Sequence, residues 1–282
     1  MCGVVDRRSP ARYGTRLDDQ NAGSRSGVGV EVAVAVRCSA SNGAAGTVEV
    51  VTTPGSLIGS GRSADIYASG PGRVLRRNRS GSIPDAEPMV MLAVGSHGFP
   101  VPAVHAVEGR DMTMDRVDGV DLLTLLSKRP WQARTVGRML ADLHRQLAAI
   151  PIGNIDLPTK TGERESFIHG DLHPGNVLLS DNGPMVIDWE GAGVGAADAD
   201  SATTWLLMAT ADPDDVPRPI RPLVGLIRRT VLRAFLEGVP RPRAETIAAV
   251  CEARLRDKNM RPRELDRIRA FAIEHSTDPL AD

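Results

Sequence analysis

The stretch Phe167–Gly193, FIHGDLHPGNVLLSDNGPMVIDWEGAG, sets three oxygen-bearing side chains, Asp171, Asn176 and Asp188, beside two short apolar runs. One run, NVLL, begins at Asn176, and the other, MVI, ends one residue before Asp188. Between them lies SDNG, a turn-forming tetrapeptide, so the runs read as buried strands of a hairpin. Such a hairpin carries Asp171 and Asn176 just before its first strand and Asp188 at the end of its second. The three side chains then converge at one edge of a small sheet. Magnesium takes ligands of this kind, with phosphate oxygens completing its shell.

Working outward from the hairpin, the chain changes character twice. Residues 1–46 are rich in Gly, Ser, Ala and Arg and lack helical periodicity, and are expected to form a mobile extension. From Val48 the pieces TVEVV, SLIGSG, ADIYAS and RVLRR read as short strands between Gly and Pro turns. DAEPMVMLAVGSHG follows as a helix with an acidic first turn and Pro88 within it. VPAVHAVEG and RDMTMDRV read as a second hairpin. After Gly119 the pattern turns helical: VDLLTLLSK, TVGRMLADLHRQLAAI and, beyond the hairpin, segments around DSATTWLLMA, IRPLVGLIRRTVLRAFLEG, AETIAAVCEARLR and PRELDRIRAFAIEH. The expected organisation is an extension over 1–46, a β-rich lobe over 47–118 and a helical lobe over 119–282.

The 282 residues suffice for a sizeable core, and 34 basic against 35 acidic residues leave no global field directed at nucleic acid or a membrane. Cys2, Cys38 and Cys251 have no metal-ligand spacing, and an odd count offers no disulfide framework, so a reducing cytoplasm is the expected compartment. No apolar run has the length of a membrane span. Val28–Val36 is too short, too late and, with Glu31 inside it, too polar for a signal sequence.

This order of parts resembles the aminoglycoside phosphotransferase and choline kinase-like family, small-molecule relatives of the protein kinases. The family's catalytic loop, H-G-D-x-x-x-x-N, is matched by His169 to Asn176, and its metal-binding Asp, followed by Trp, by Asp188-Trp189. The resemblance implies an α+β, two-lobed, protein-kinase-like fold that binds ATP, with GTP as an alternative, together with Mg²⁺. It implies phosphate transfer to a hydroxyl of a small molecule. Asp171 is then the catalytic residue, and Asn176 and Asp188 hold the metal. His169 is expected to support the loop, His173 to pack on it, and Asp200, in the partial family match GAADADSA, to bond it.

The resemblance extends to the nucleotide side, with departures. GSGRSADI lies on a kinase-type Gly-rich loop: Gly59, Ser60 and Gly61 would cover the phosphates and Ile66 would pack on the base, but Ala64 stands where a third Gly is usual. The strand RVLRR places Arg76 where the family has Lys, a change from a compact ammonium to a planar, bidentate guanidinium. Its expected partner is Glu87, with Asp85 in reserve. In the linker MTMDRVDG the resemblance implies main-chain contacts to adenine near Asp115 and Val117, with Met114 behind the base.

Two other readings stay open: a non-catalytic nucleotide-binding module, suggested by Arg76, and a protein kinase, disfavoured by HGD in place of HRD and by the lack of an activation segment. The acceptor is not named by any motif. Between Arg218 and Arg269 the chain holds 14 Lys or Arg against 6 Asp or Glu, while acids cluster earlier at Asp198, Asp200, Asp212, Asp214 and Asp215. If the later helices wall the acceptor, their field favours a neutral or anionic hydroxyl compound over a polycation.

Overall fold

The structure, a computed structural model, describes residues 54–61, 63–211, 216–257 and 260–275. The extension expected over 1–46, the piece TVEVV and the acids Asp212, Asp214 and Asp215 lie outside these residues.

The Gly- and Pro-punctuated region forms a five-stranded antiparallel sheet from β1 (Leu57–Ser60), β2 (Ala64–Ala68), β3 (Arg73–Asn78), β4 (Val104–Glu108) and β5 (Asp111–Asp115), in the order β1-β2-β3-β5-β4. β3 is the central strand, which explains why Val74, Leu75 and Arg76 are all buried instead of alternating. Helix α1 (Ala86–Ser96) follows β3. Pro88 is tolerated there because the first turn has N–H groups without intrahelical partners. Phe99 then drops into the main core, and Pro100 accepts a hydrogen bond from the Val186 N–H at 2.8 Å, joining this region to the hairpin.

The helical lobe begins after the two-residue strand β6 (Val120–Asp121), with α2 (Leu122–Lys128) capped by Asp121, whose side chain accepts from the Thr124 N–H. In α3 (Ala133–Ala148) Val136, Leu140, Leu143 and Leu147 recur at helical spacing and form the buried stripe. α3 packs closely on α5 (Arg221–Leu236): a Cβ at Gly137 would lie 2.4 Å from the Val231 carbonyl oxygen, so glycine is required where the two backbones meet. A second apolar cluster joins α4 (Ala199–Thr210), α6 (Ala244–Leu255) and α7 (Pro262–His275) through Leu206, Ile247, Val250, Cys251, Ile268 and Phe271.

The hairpin read from the sequence is present as β9 (Val177–Ser180) and β10 (Gly183–Val186), turning at Asp181-Asn182. β6 extends it to a three-stranded sheet, β10-β9-β6. A second small sheet, β7-β11-β8, was not anticipated; it consists of β7 (Thr159–Thr161), β8 (Ser166–Ile168) and β11 (Gly193–Gly195). Strands of three residues are too short to display a period, and their partners lie more than twenty residues apart in sequence. The architecture is α+β, with a sheet-and-helix lobe joined to a helical lobe. No helix among the described residues is long and apolar enough to cross a membrane.

Candidate active site

The hairpin brings Asp171, Asn176 and Asp188 together. Asn176 closes a 3-10 turn (Pro174–Asn176), and its carbonyl accepts from the Ile187 N–H at 3.0 Å, tying it to the residue before Asp188. The Asn176 amide nitrogen donates to the Asp171 carbonyl at 2.9 Å and lies 3.3 Å from Asp171 Oδ2, leaving Asn176 Oδ1 as the atom suited to a cation. Asp188 has φ of 65°, the one left-handed non-glycine residue among those described. Asp tolerates this region better than most residues, and such geometry gathers at functional sites.

Beneath these groups lies a fully buried support. Asp200, in the first turn of α4, accepts from the backbone N–H groups of His169 and Gly170, both at 2.7 Å. Burial pushes its carboxyl up to about 6 against the pull of those two donors. His169 Nδ1 accepts from the Asp171 N–H at 3.2 Å, so its proton sits on Nε2, which donates to the Ile187 carbonyl at 2.9 Å. Burial lowers the His169 pKa to about 4, which keeps this neutral tautomer. Trp189 is buried against both His169, at 4.6 Å between ring centroids, and Phe99, at 5.8 Å, and it donates Nε1–H to Val186. Gly170 has φ of 81° and a Cβ there would stand 2.8 Å from the Gly191 carbonyl oxygen, so this position needs glycine.

Asp171 is held from two sides. Arg254 of α6 reaches its Oδ1 through Nη2, and His173 Nε2 lies 3.4 Å from Oδ2. Burial would raise its pKa, but hydrogen bonding to His173 and the charge of Arg254 outweigh this and hold the carboxyl below the usual range. His173 also accepts from the Gly175 N–H at 3.0 Å. The sequence reading missed Arg254, which lies 83 residues from Asp171 in a helix whose basic residues look alike. No local signal distinguishes it.

On the opposite wall, Arg76 Nη1 bonds Glu87 Oε1, with both side chains buried. Asp85, the reserve partner, is the helix N-cap residue instead. Arg76 Nη2 is buried without a hydrogen-bond acceptor among the described residues, and lies 3.5 Å from Glu190 and 4.0 Å from Asp188. Burial drives the Glu87 carboxyl up to about 7 against the pull of Arg76, and partial burial raises Asp188 as well. Between the walls lies a cavity of about 520 Å³ bordered by Gly59, Gly61, Ile66, Arg76, Met114, Asp115, Val117, Asn176 and Asp188. Ile58, Val74, Leu178 and Ile187, which the sequence reading did not select, supply apolar walls. Ser60 is not among the lining residues; its hydroxyl donates to Asp65 at 2.7 Å and accepts from Arg79. In the linker the N–H groups of Asp115 and Arg116 donate to Ala103 and Gly72, both at 2.9 Å, whereas that of Val117 has no partner among the described residues. No group of three or more His, Cys, Asp and Glu side chains forms a metal cage among the described residues.

The fold is protein-kinase-like. The model of the phosphotransferase enzyme family (APH) matches residues 154–234, the segment holding Asp171, Asn176 and Asp188. The resemblance to aminoglycoside phosphotransferases and choline kinase-like proteins read from the sequence is borne out by this match. A thermostable mutant of aminoglycoside phosphotransferase APH(4)-Ia, solved with ADP and hygromycin B, has a similar fold, with a TM-score of 0.52 at 15% identity, covering 79% of this chain and 94% of that one. The same enzyme with AMP-PNP and hygromycin B gives a TM-score of 0.50 at 15% identity over the same shares. A choline/ethanolamine kinase family protein from Mesorhizobium loti scores 0.46 at 15% identity, covering 82% of this chain and 90% of that one. No curated protein sequence matches the chain significantly.

Proposed function

We propose that the protein is a magnesium-dependent phosphotransferase that moves the γ-phosphoryl group of ATP to a hydroxyl of a small molecule. The observation that carries this reading is the convergence of Asn176, Asp188 and Arg76 on one cavity, with Asp171 hydrogen-bonded to Asn176 beside it. Phosphoryl transfer asks the protein mainly for positioning and charge neutralisation, and these residues are placed for both.

The nucleotide substrate fits the cavity on two counts. Its apolar border suits a base with Met114 and Ile66 beside it, and the Val117 N–H offers a donor at the linker. The buried, acceptor-less Nη2 of Arg76 suits a phosphate oxygen. Asp188 and Asn176 Oδ1 would hold magnesium with only two protein oxygens, as that ion commonly is when phosphate and water complete its shell. Bound there, the ion would neutralise charge on the transferring phosphates.

Asp171 has the catalytic part. Held ionised at neutral pH, its carboxylate orients the acceptor hydroxyl and takes its proton as that oxygen bonds to the γ-phosphorus. The bond from the γ-phosphorus to the β–γ bridging oxygen breaks, ADP leaves, and Asp171 passes the proton to solvent. His169 and Asp200 act by fixing the loop. Binding of ATP by calorimetry, with and without magnesium, tests the scheme: wild type should bind only with magnesium, and Asp188→Ala should lose that dependence and most affinity. Equal Mg-ATP binding by the variant would remove Asp188 from the metal site. The rival reading, a binding module without catalysis, is separated by slow Mg-ATP hydrolysis that disappears in Asp171→Ala.

A further inference from the structure

The contact between Arg254 and Asp171 is not required by phosphate transfer, and it has a consequence for the acceptor. Asp171 Oδ2 is shared by the Asn176 amide and His173. Oδ1 is therefore the oxygen open to an acceptor hydroxyl, and Arg254 stands on it. Both side chains keep partial exposure, 22% for Arg254 and 36% for Asp171, so the pair is within reach of a solute and is not sealed in the core. Arg254 comes from the last turn of α6, on the helical side and away from the nucleotide cavity, whose border it does not join. The nearby acid on its own helix, Glu252, is paired with Arg256.

Arg254 takes one lone pair of Oδ1 and lowers its basicity, so this oxygen is best able to take a hydroxyl proton when the guanidinium moves aside. Displacing it into an unpaired state is unfavourable for a partly buried charge. A carboxylate on the acceptor removes that difficulty, because it replaces Asp171 as the partner of Arg254 like for like. An ammonium group on the acceptor would meet repulsion at the same point.

We infer that Arg254 is the acceptor-reading residue, and that the acceptor is a hydroxylated compound carrying a carboxylate close to the hydroxyl that is phosphorylated. Arg254 exchanges from Asp171 to that carboxylate as the acceptor enters, and this frees Oδ1 for the hydroxyl proton. The assignment rests on the phosphotransferase reading and can fail without it.

Phosphate transfer from Mg-ATP is measured for two trios matched in size and differing in charge: glycerate, glycerol and 3-aminopropane-1,2-diol, and gluconate, glucitol and glucamine. In the wild-type full chain the acid of at least one trio should exceed its neutral and amine counterparts by about tenfold or more in kcat/KM, a margin on the order of one charged contact. Arg254→Gln should erase that preference mainly through KM. Arg254→Lys should keep its sign at reduced size, and Arg254→Glu should turn it toward the amine. Melting curves with Mg-AMP-PNP establish that each variant is folded, and the lysine variant keeps the test alive if glutamine does not fold. A wild type that hydrolyses Mg-ATP but phosphorylates no acid of either trio, or shows no charge preference, or keeps its preference in Arg254→Gln, overturns the assignment and leaves the phosphotransferase reading intact. Absence of any ATP turnover overturns that reading itself.

Discussion

The two walls of the cleft are built differently. On the helical side His169, Asp200 and Trp189 are buried and every polar atom they bring has a partner. On the sheet side four buried side-chain atoms have none among the described residues, Ser69 Oγ, Arg76 Nη2, Asn78 Oδ1 and Glu87 Oε2, and of these residues Arg76 borders the cavity. A satisfied buried network rigidifies what it holds, whereas a half-satisfied one is unfavourable until something completes it. The comparison teaches that the loop from His169 to Asn176 is preorganised in the protein alone, while the sheet side keeps one donor at the cavity, Arg76 Nη2, that an anionic oxygen would satisfy.

Substitutions can break this contrast from either side. The largest effect is expected at the point the helical wall presents. Asp171→Asn should lower turnover on the order of 10²-fold or more, with melting temperature and Mg-ATP affinity nearly unchanged. Turnover within about threefold of wild type would take Asp171 out of the mechanism.

Asp200→Ala tests the support itself. It strands the backbone N–H groups of His169 and Gly170 in the core, so urea unfolding should show a loss of about 2–4 kcal/mol. A loss below about 1 kcal/mol would mean that the wall does not depend on this carboxylate.

The same network predicts a pH dependence. Burial lowers the pKa of His144 to about 4; its ring bonds the Leu140 carbonyl and Thr204, whose hydroxyl donates to the Leu172 carbonyl in the loop that follows Asp171. Between its unfolded value near 6.5 and about 4, the unfolded chain holds the extra proton, so stability falls as pH drops and is complete above 6.5. Relative to His144→Gln, wild type should therefore lose up to about 3 kcal/mol between pH 6.5 and 4, read from denaturation midpoints. A difference that does not vary with pH would show that His144 is charged in the fold.

The smallest effect sharpens the sheet side. A double-mutant cycle of Arg76→Ala and Glu87→Ala, scored on Mg-ATP affinity, should give a coupling of about 1–2 kcal/mol, and Arg76→Lys should keep much of the binding. Zero coupling would detach the ion pair from nucleotide binding.

The order of the longer strands and helices was legible because those elements are long enough to show their period, and the hairpin because turn residues separate two apolar runs. The pairing of Arg76 with Glu87 was legible through the family resemblance, which implies a strand cation paired with a helix Glu, and Glu87 stands in the first turn of α1. The β7-β11-β8 sheet was not, since three-residue strands carry no pattern. The expectation for Ser60 met a competing network, Asp65 and Arg79, that no motif announces.

By itself the sequence determined the loop from His169 to Asn176, the turn that returns the chain to Asp188, and the apolar periods that build the two lobes. These depend on interactions within a few residues, where spacing sets geometry. Only the tertiary structure decided that Arg254 meets Asp171, and that Arg76 gives Nη1 to Glu87 while its Nη2 is buried without an acceptor among the described residues. Each of those contacts joins residues whose separation in the chain says nothing about their distance. They are set by how helices pack, and packing depends on the summed shape of many side chains rather than on any one stretch.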